Sequence, residues 1–114
     1  MQKDRSHVPI INLNLNKEFT KNSNKLLREL LQIFIEETPR LKEEINEAFD
    51  TQQKQKLNDL LHKLYGSCVY CGLTRLTESL IDLKKSINNN KYPKNLLNAL
   101  NKEIKNGLKE ARKI

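Results

Sequence analysis

The sequence predicts an all-α protein: an antiparallel, up-and-down four-helix bundle with a short N-terminal cap segment. Three observations carry that expectation. Apolar residues recur at three- and four-residue spacing through most of the chain, as a core-facing helix stripe requires. Neither a strand signal nor an internal repeat competes with that period. The periodic segments are joined by short polar connections holding Pro, Gly or Asn, which favours antiparallel neighbours.

Residues 1–9 (MQKDRSHVP) are polar, end in proline and read as a leader or linker, with residues 10–114 forming the domain. His7 stands in that leader without partners. Ile11, Leu13 and Leu15 then alternate with asparagines and are assigned to the cap over the bundle. From Ser23 the helical period begins, with Leu27, Leu30, Leu31 and Phe34 on one face. Pro39 is expected to end, restart or kink that helix, because proline lacks the N–H that a helix interior uses. Leu41, Ile45, Ala48 and Phe49 continue inward, opposite Lys42, Glu43, Glu44 and Glu47.

The next helix runs from about Gln53 to Cys71, carries Leu57, Leu60, Leu61 and Leu64, and stops at Gly72. Leu73, Leu76, Leu80, Leu83 and Ile87 form a heptad stripe that ends in Asn88, Asn89 and Asn90. Pro93 opens the last helix, whose inward residues are Leu97, Leu100, Ile104, Leu108 and Ala111.

A chain of 114 residues supports one modest core and leaves no room for a second lobe around a substrate. Its longest apolar runs are only a few residues, so no membrane span or signal peptide is expected, and the segment is assigned to the cytoplasm. The formal charge of +7 suits an acidic partner without choosing its class. Lysines are spread over every segment and interleaved with glutamates. That pattern speaks against a nucleic-acid recognition face, which would gather them with aromatics.

One stretch departs from this plain composition: HKLYGSCVYCG, His62 to Gly72. On a wheel of about 100° per residue centred on His62, the leucines cluster near the opposite side, between about 160° and 260°. Cys68 and Cys71 fall inside that apolar stripe, so they are expected as core thiols. His62 and Cys71 point from opposite sides of the helix and cannot share a cation, and no second Cys/His pair exists to complete a zinc site. No metal is assigned. A redox pair is equally disfavoured, because a helix C-terminus opposes thiolate formation.

The outward face is the unusual one. Gly66 lies one turn beyond His62 and costs a helix about 0.5–1 kcal/mol relative to alanine, and Val69 is apolar yet turned from the predicted core. A glycine there leaves room beside the imidazole for a bulky group or for a partner's backbone. Neutral imidazole is a nucleophile near physiological pH, and phosphoryl transfer asks mainly for in-line positioning and charge neutralisation. Lys63 is the nearest cation in sequence.

His62-Lys63-Leu64-x-Gly66-Ser67, set among amphipathic helices, resembles the histidine-containing phosphotransfer (HPt) domain. The longer string HKLYGSCVYCGLTRL is similar to the C-terminal HPt module of BarA/GacS-type hybrid sensor histidine kinases. The resemblance implies a monomeric phosphorelay carrier that takes a phosphoryl group from an aspartate of one response-regulator receiver domain and passes it to an aspartate of another. By that likeness His62 is the phosphorylated residue and Gly66 the clearance residue. Lys63, Lys84 and Lys85, in that order, are candidates to steady the phosphate. Asn58, Asp59, Tyr65, Val69 and Tyr70 form the candidate docking surface. The receiver is expected to bring Mg²⁺, so the chain needs no cofactor, and as the cytoplasmic end of a membrane-anchored kinase it would itself touch no membrane. Two departures stand out. Many members have a basic residue where this chain has Tyr65, and some place a glutamine on the following helix where this chain has Lys84.

The chain is not expected to be an enzyme, since it has no Gly-rich nucleotide loop, no nucleophile with an attendant base and no carboxylate cluster. A kinase dimerisation domain would show an acidic residue and a proline close after the histidine, and neither is present. The competing readings are a basic helical module that binds nucleic acid, and a docking bundle of the same shape that carries no phosphate.

Overall fold

A computed structural model describes residues 24–114, and the predicted leader and cap lie outside that range. Four helices fill it: α1 (Asn24–Asp50), α2 (Lys54–Cys71), α3 (Thr74–Asn88) and α4 (Lys94–Ala111). No strand occurs among the described residues. Each helix packs on two neighbours, α1 on α2 and α4, and α3 on α2 and α4, so the four close into a ring around one core.

The polar contacts fix the directions. Between α1 and α4, Lys94 Nζ lies 3.6 Å from Asp50 Oδ1, and the amides of Asn46 and Asn101 exchange two hydrogen bonds of 2.9 Å. Further along, Phe34 faces Gly107. As one helix ascends the other descends. The α2–α3 pair runs the same way: Lys54 donates to Asn90 at one end, and Leu61 and Leu80 line one groove further along. The bundle is therefore antiparallel, as links of two to five residues require.

α1 does not break at Pro39. The expected interruption is corrected by the register of its buried residues: Leu31, Phe34, Thr38, Leu41, Ile45 and Ala48 step by three and four straight across the proline. Pro39 itself is exposed, where its ring removes one backbone hydrogen bond, the one that Ile35 C=O would accept. Burial of the shared stripe outweighs a break costing about 3 kcal/mol, because each fully buried large side chain contributes about 1.5–3 kcal/mol.

The turn after α2 is set by Gly72, whose φ of 67° is left-handed. Its N–H donates to Val69 C=O at 3.2 Å, and the Leu73 N–H reaches Cys68 C=O at 2.9 Å, the paired bonds of a Schellman closure. Leu73 and Cys68 are both buried, so the closure also seals the core. α3 and α4 are joined across their interface by Arg75, whose Nε donates to Glu103 Oε2 at 3.1 Å. Asn106 donates to the other oxygen at 3.1 Å, so both oxygens of this buried carboxylate are satisfied.

Candidate functional site

The middle of α2 presents two opposed faces, and the sequence wheel predicts their composition. Leu57, Leu61, Leu64, Cys68 and Cys71 are buried, each at most 1% exposed. Burial, reinforced by the neighbouring Cys71, pushes the Cys68 thiol far above its ordinary range, and burial pushes Cys71 up to about 11. Both cysteines are free and protonated near neutral pH. Among the described residues no three His, Cys, Asp or Glu side chains gather as a metal site would need.

His62 stands on the opposite face and is exposed. A Cβ built on Gly66 would meet nothing within 4 Å, and Gly66 carries no positive φ. Neither the backbone nor the packing of this chain therefore demands glycine. What the glycine leaves is open space one turn beyond the imidazole.

On one flank His62 borders a groove between α2 and α3 of about 310 Å³, lined by Leu61, His62, Tyr65, Leu80, Ile81 and Lys84. Tyr65 and Ile81 are exposed apolar surface at 39% and 37%. Leu61, Leu80 and Ile81 are the groove residues that sequence reasoning did not assign to the site, the two leucines being expected as core. Ile81 sits one position beyond the heptad stripe of α3, and an isoleucine in that off-stripe place is the signal that marks it.

The three candidate lysines are separated by the fold. Lys84, half-buried, lines the same groove as His62. Lys63 is rotated about 100° from His62 and lines a different groove with Gln53, Lys54, Lys56, Asp59 and Leu60. Lys85 faces the α3–α4 side with Asp82, Ser86, Lys91 and Asn95.

The candidate docking residues divide likewise. Tyr65 and Tyr70 are exposed, whereas Val69 is only half-buried rather than fully outward. Asp59 accepts a hydrogen bond of 3.0 Å from Gln55 on its own helix. Asn58 turns toward α3, where its amide donates to Asn88 Oδ1 at 3.1 Å, so it ties the two helices together beside the site. Lys54 strengthens the same end through Asn90 at 3.0 Å.

No described helix is long and apolar enough to cross a membrane. An exposed histidine with clearance above it, flanked by an apolar groove and a cation, can accept a bulky anionic group from a protein that docks around it. The comparisons with known proteins agree with that geometry. Residues 29–113 match the family model described as Hpt domain. The signal transduction histidine-protein kinase BarA of Shigella flexneri is 28% identical over 85 residues, covering 75% of this chain, and the BarA protein of Escherichia coli (strain K12) matches to the same extent. The chain spans only about 7% of the length of these curated relatives. Hpt domains serve as phosphocarriers in two-component phosphorelays, where they exchange phosphate with receiver domains. The match over residues 29–113, the helical bundle and the exposed His62 agree, and the chain belongs to the Hpt domain family.

Proposed function

We propose that this chain carries a phosphoryl group on His62 between aspartates of two receiver domains, acting as a phosphocarrier with no ATP site or catalysis of its own. The observation that supports this most directly is His62 exposed beside a helical glycine whose missing side chain leaves open space. In the transfer, a neutral ring nitrogen of His62 attacks the phosphorus of an aspartyl phosphate. The N–P bond forms as the O–P bond breaks, the aspartate carboxylate leaves with the electron pair, and the ring sheds its remaining proton to solvent. The second transfer is the reverse, with a different aspartate as acceptor. Mg²⁺ held in the receiver's acidic pocket would supply most of the charge balance for the reacting group, and the chain would bring no cofactor of its own.

Docking uses the apolar groove walled by Tyr65 and Ile81, with Tyr70 and Val69 further along α2. The chain works as a monomer in the cytoplasm and contacts neither membrane nor nucleic acid. Incubation with a phosphorylated receiver domain is expected to label it with an acid-labile, alkali-stable phosphate. Retention of that label in His62→Gln would sink the proposal.

A further inference from the structure

Three lysines, Lys63, Lys84 and Lys85, compete for the phosphoryl group, and the fold separates them. Lys84 lines the groove that His62 borders, together with Leu61, Tyr65, Leu80 and Ile81. Apart from His62 itself, every other wall of that groove is apolar or phenolic, and no carboxylate lines it. Lys84 is half-buried and has no ion-pair or hydrogen-bond partner among the described residues, so its ammonium is uncompensated. Lys63, adjacent in sequence, lies on the other flank of α2. Lys85 faces the α3–α4 groove.

We infer that Lys84, reaching across from α3, is the phosphate-holding residue of this site, pairing with the phosphoryl oxygens once they sit on His62. Lys63 and Lys85 instead act on the approaching partner. The inference rests on His62 being the phosphorylated residue. Its physical basis is that a cation flanked by apolar walls is screened less than one surrounded by water, so its attraction for an added dianion is stronger. An unpaired charge also gives up no existing partner when the phosphate arrives. Tyr65 and Ile81 narrow the access of water to the pair.

This division of labour separates equilibrium from rate. A residue that holds the phosphoryl group changes the free energy of the phosphorylated chain on its own. A residue that only helps docking changes how fast the receiver delivers phosphate and leaves the isolated phosphorylated chain as it was.

The test therefore uses the full chain alone, phosphorylated chemically with phosphoramidate and followed by ³¹P NMR. The pH midpoint of the phosphoryl resonance follows loss of the remaining ring proton of the phosphoimidazole, which a cation paired with the phosphoryl oxygens favours. In Lys84→Gln the midpoint is expected to rise by about 0.7 pH unit, a fivefold weaker preference, of the size one partly screened charge pair supplies. Lys84→Arg is expected to restore the wild-type midpoint, and circular dichroism should show unchanged helix content in both variants. The shift in Lys63→Gln is expected to be several-fold smaller.

A wild-type midpoint in Lys84→Gln, or an equal shift in Lys63→Gln, overturns the assignment of Lys84. Failure of the wild-type chain to acquire phosphate on His62, whether it stays unlabelled or is labelled on His7 alone, would instead overturn the reading of His62. The two failures are thus distinguishable.

Discussion

The two faces of α2 are built by different rules from the same eighteen residues. Inward, Leu57, Leu61, Leu64, Cys68 and Cys71 are each at most 1% exposed, and their identities are dictated by what they touch. Outward, Gly66 touches nothing within 4 Å, His62 and Lys63 face solvent, and the isolated fold explains none of these choices. A helical glycine with no steric need and no positive φ gives up stability for nothing local. The difference teaches that the inner face is selected for packing and the outer face for what arrives.

That contrast can be broken at its strongest point first. Leu64→Ala is expected to cost about 2–5 kcal/mol in urea unfolding, the range for truncating a fully buried leucine. A loss under about 1 kcal/mol would mean the inner face is not the close-packed one described here.

The thiols test the same face through pH. Both cysteines are held protonated by burial, so their folded pKa values exceed the ordinary 9.0, with Cys71 at about 11. Between those pH values the unfolded chain loses thiol protons that the folded chain keeps. The stability these groups contribute is full below pH 9.0 and falls as pH rises toward about 11. Urea midpoints measured across that range should fall with a slope that Cys68→Ala/Cys71→Ala reduces. An equal slope in the double variant would place the cysteines in water.

The smallest stability effect sharpens the outer face. Gly66→Ala should stabilise the fold by about 0.5–1 kcal/mol, since alanine is the better helix former and the space is free. Gly66→Glu should leave helix content unchanged and slow phosphoryl transfer from a receiver. Transfer at the normal rate in the glutamate variant would show that the clearance is not used.

How much of this was legible beforehand follows from which forces are local. The inner stripes of α2, α3 and α4 could be read directly, because burial imprints a helical period on the sequence. The continuity of α1 was legible only in part. Proline signals a break locally, while the unbroken three-and-four register from Leu31 to Ala48 says otherwise and prevails. Glu103 and Gly107 were missed as inward residues of α4. Glu103 is buried because Arg75 and Asn106 satisfy it, and a Cβ on Gly107 would come within 3.5 Å of Phe34.

At the site, His62 and Gly66 stood out on a single-helix wheel, but a wheel holds no neighbouring helix. It could rank Lys63 first by proximity, and it could not know that Lys84 enters the groove from α3. Nor could it show that Asn58 is engaged with Asn88.

The central claim is that one imidazole on the outer face receives the phosphoryl group, and the chain offers two histidines, His7 and His62. The most direct measurement is to label the chain from a phosphorylated receiver domain, digest it at alkaline pH and map the phosphate by mass spectrometry. The account predicts phosphate on the peptide containing His62. Phosphate on His7, or on neither histidine, would contradict it.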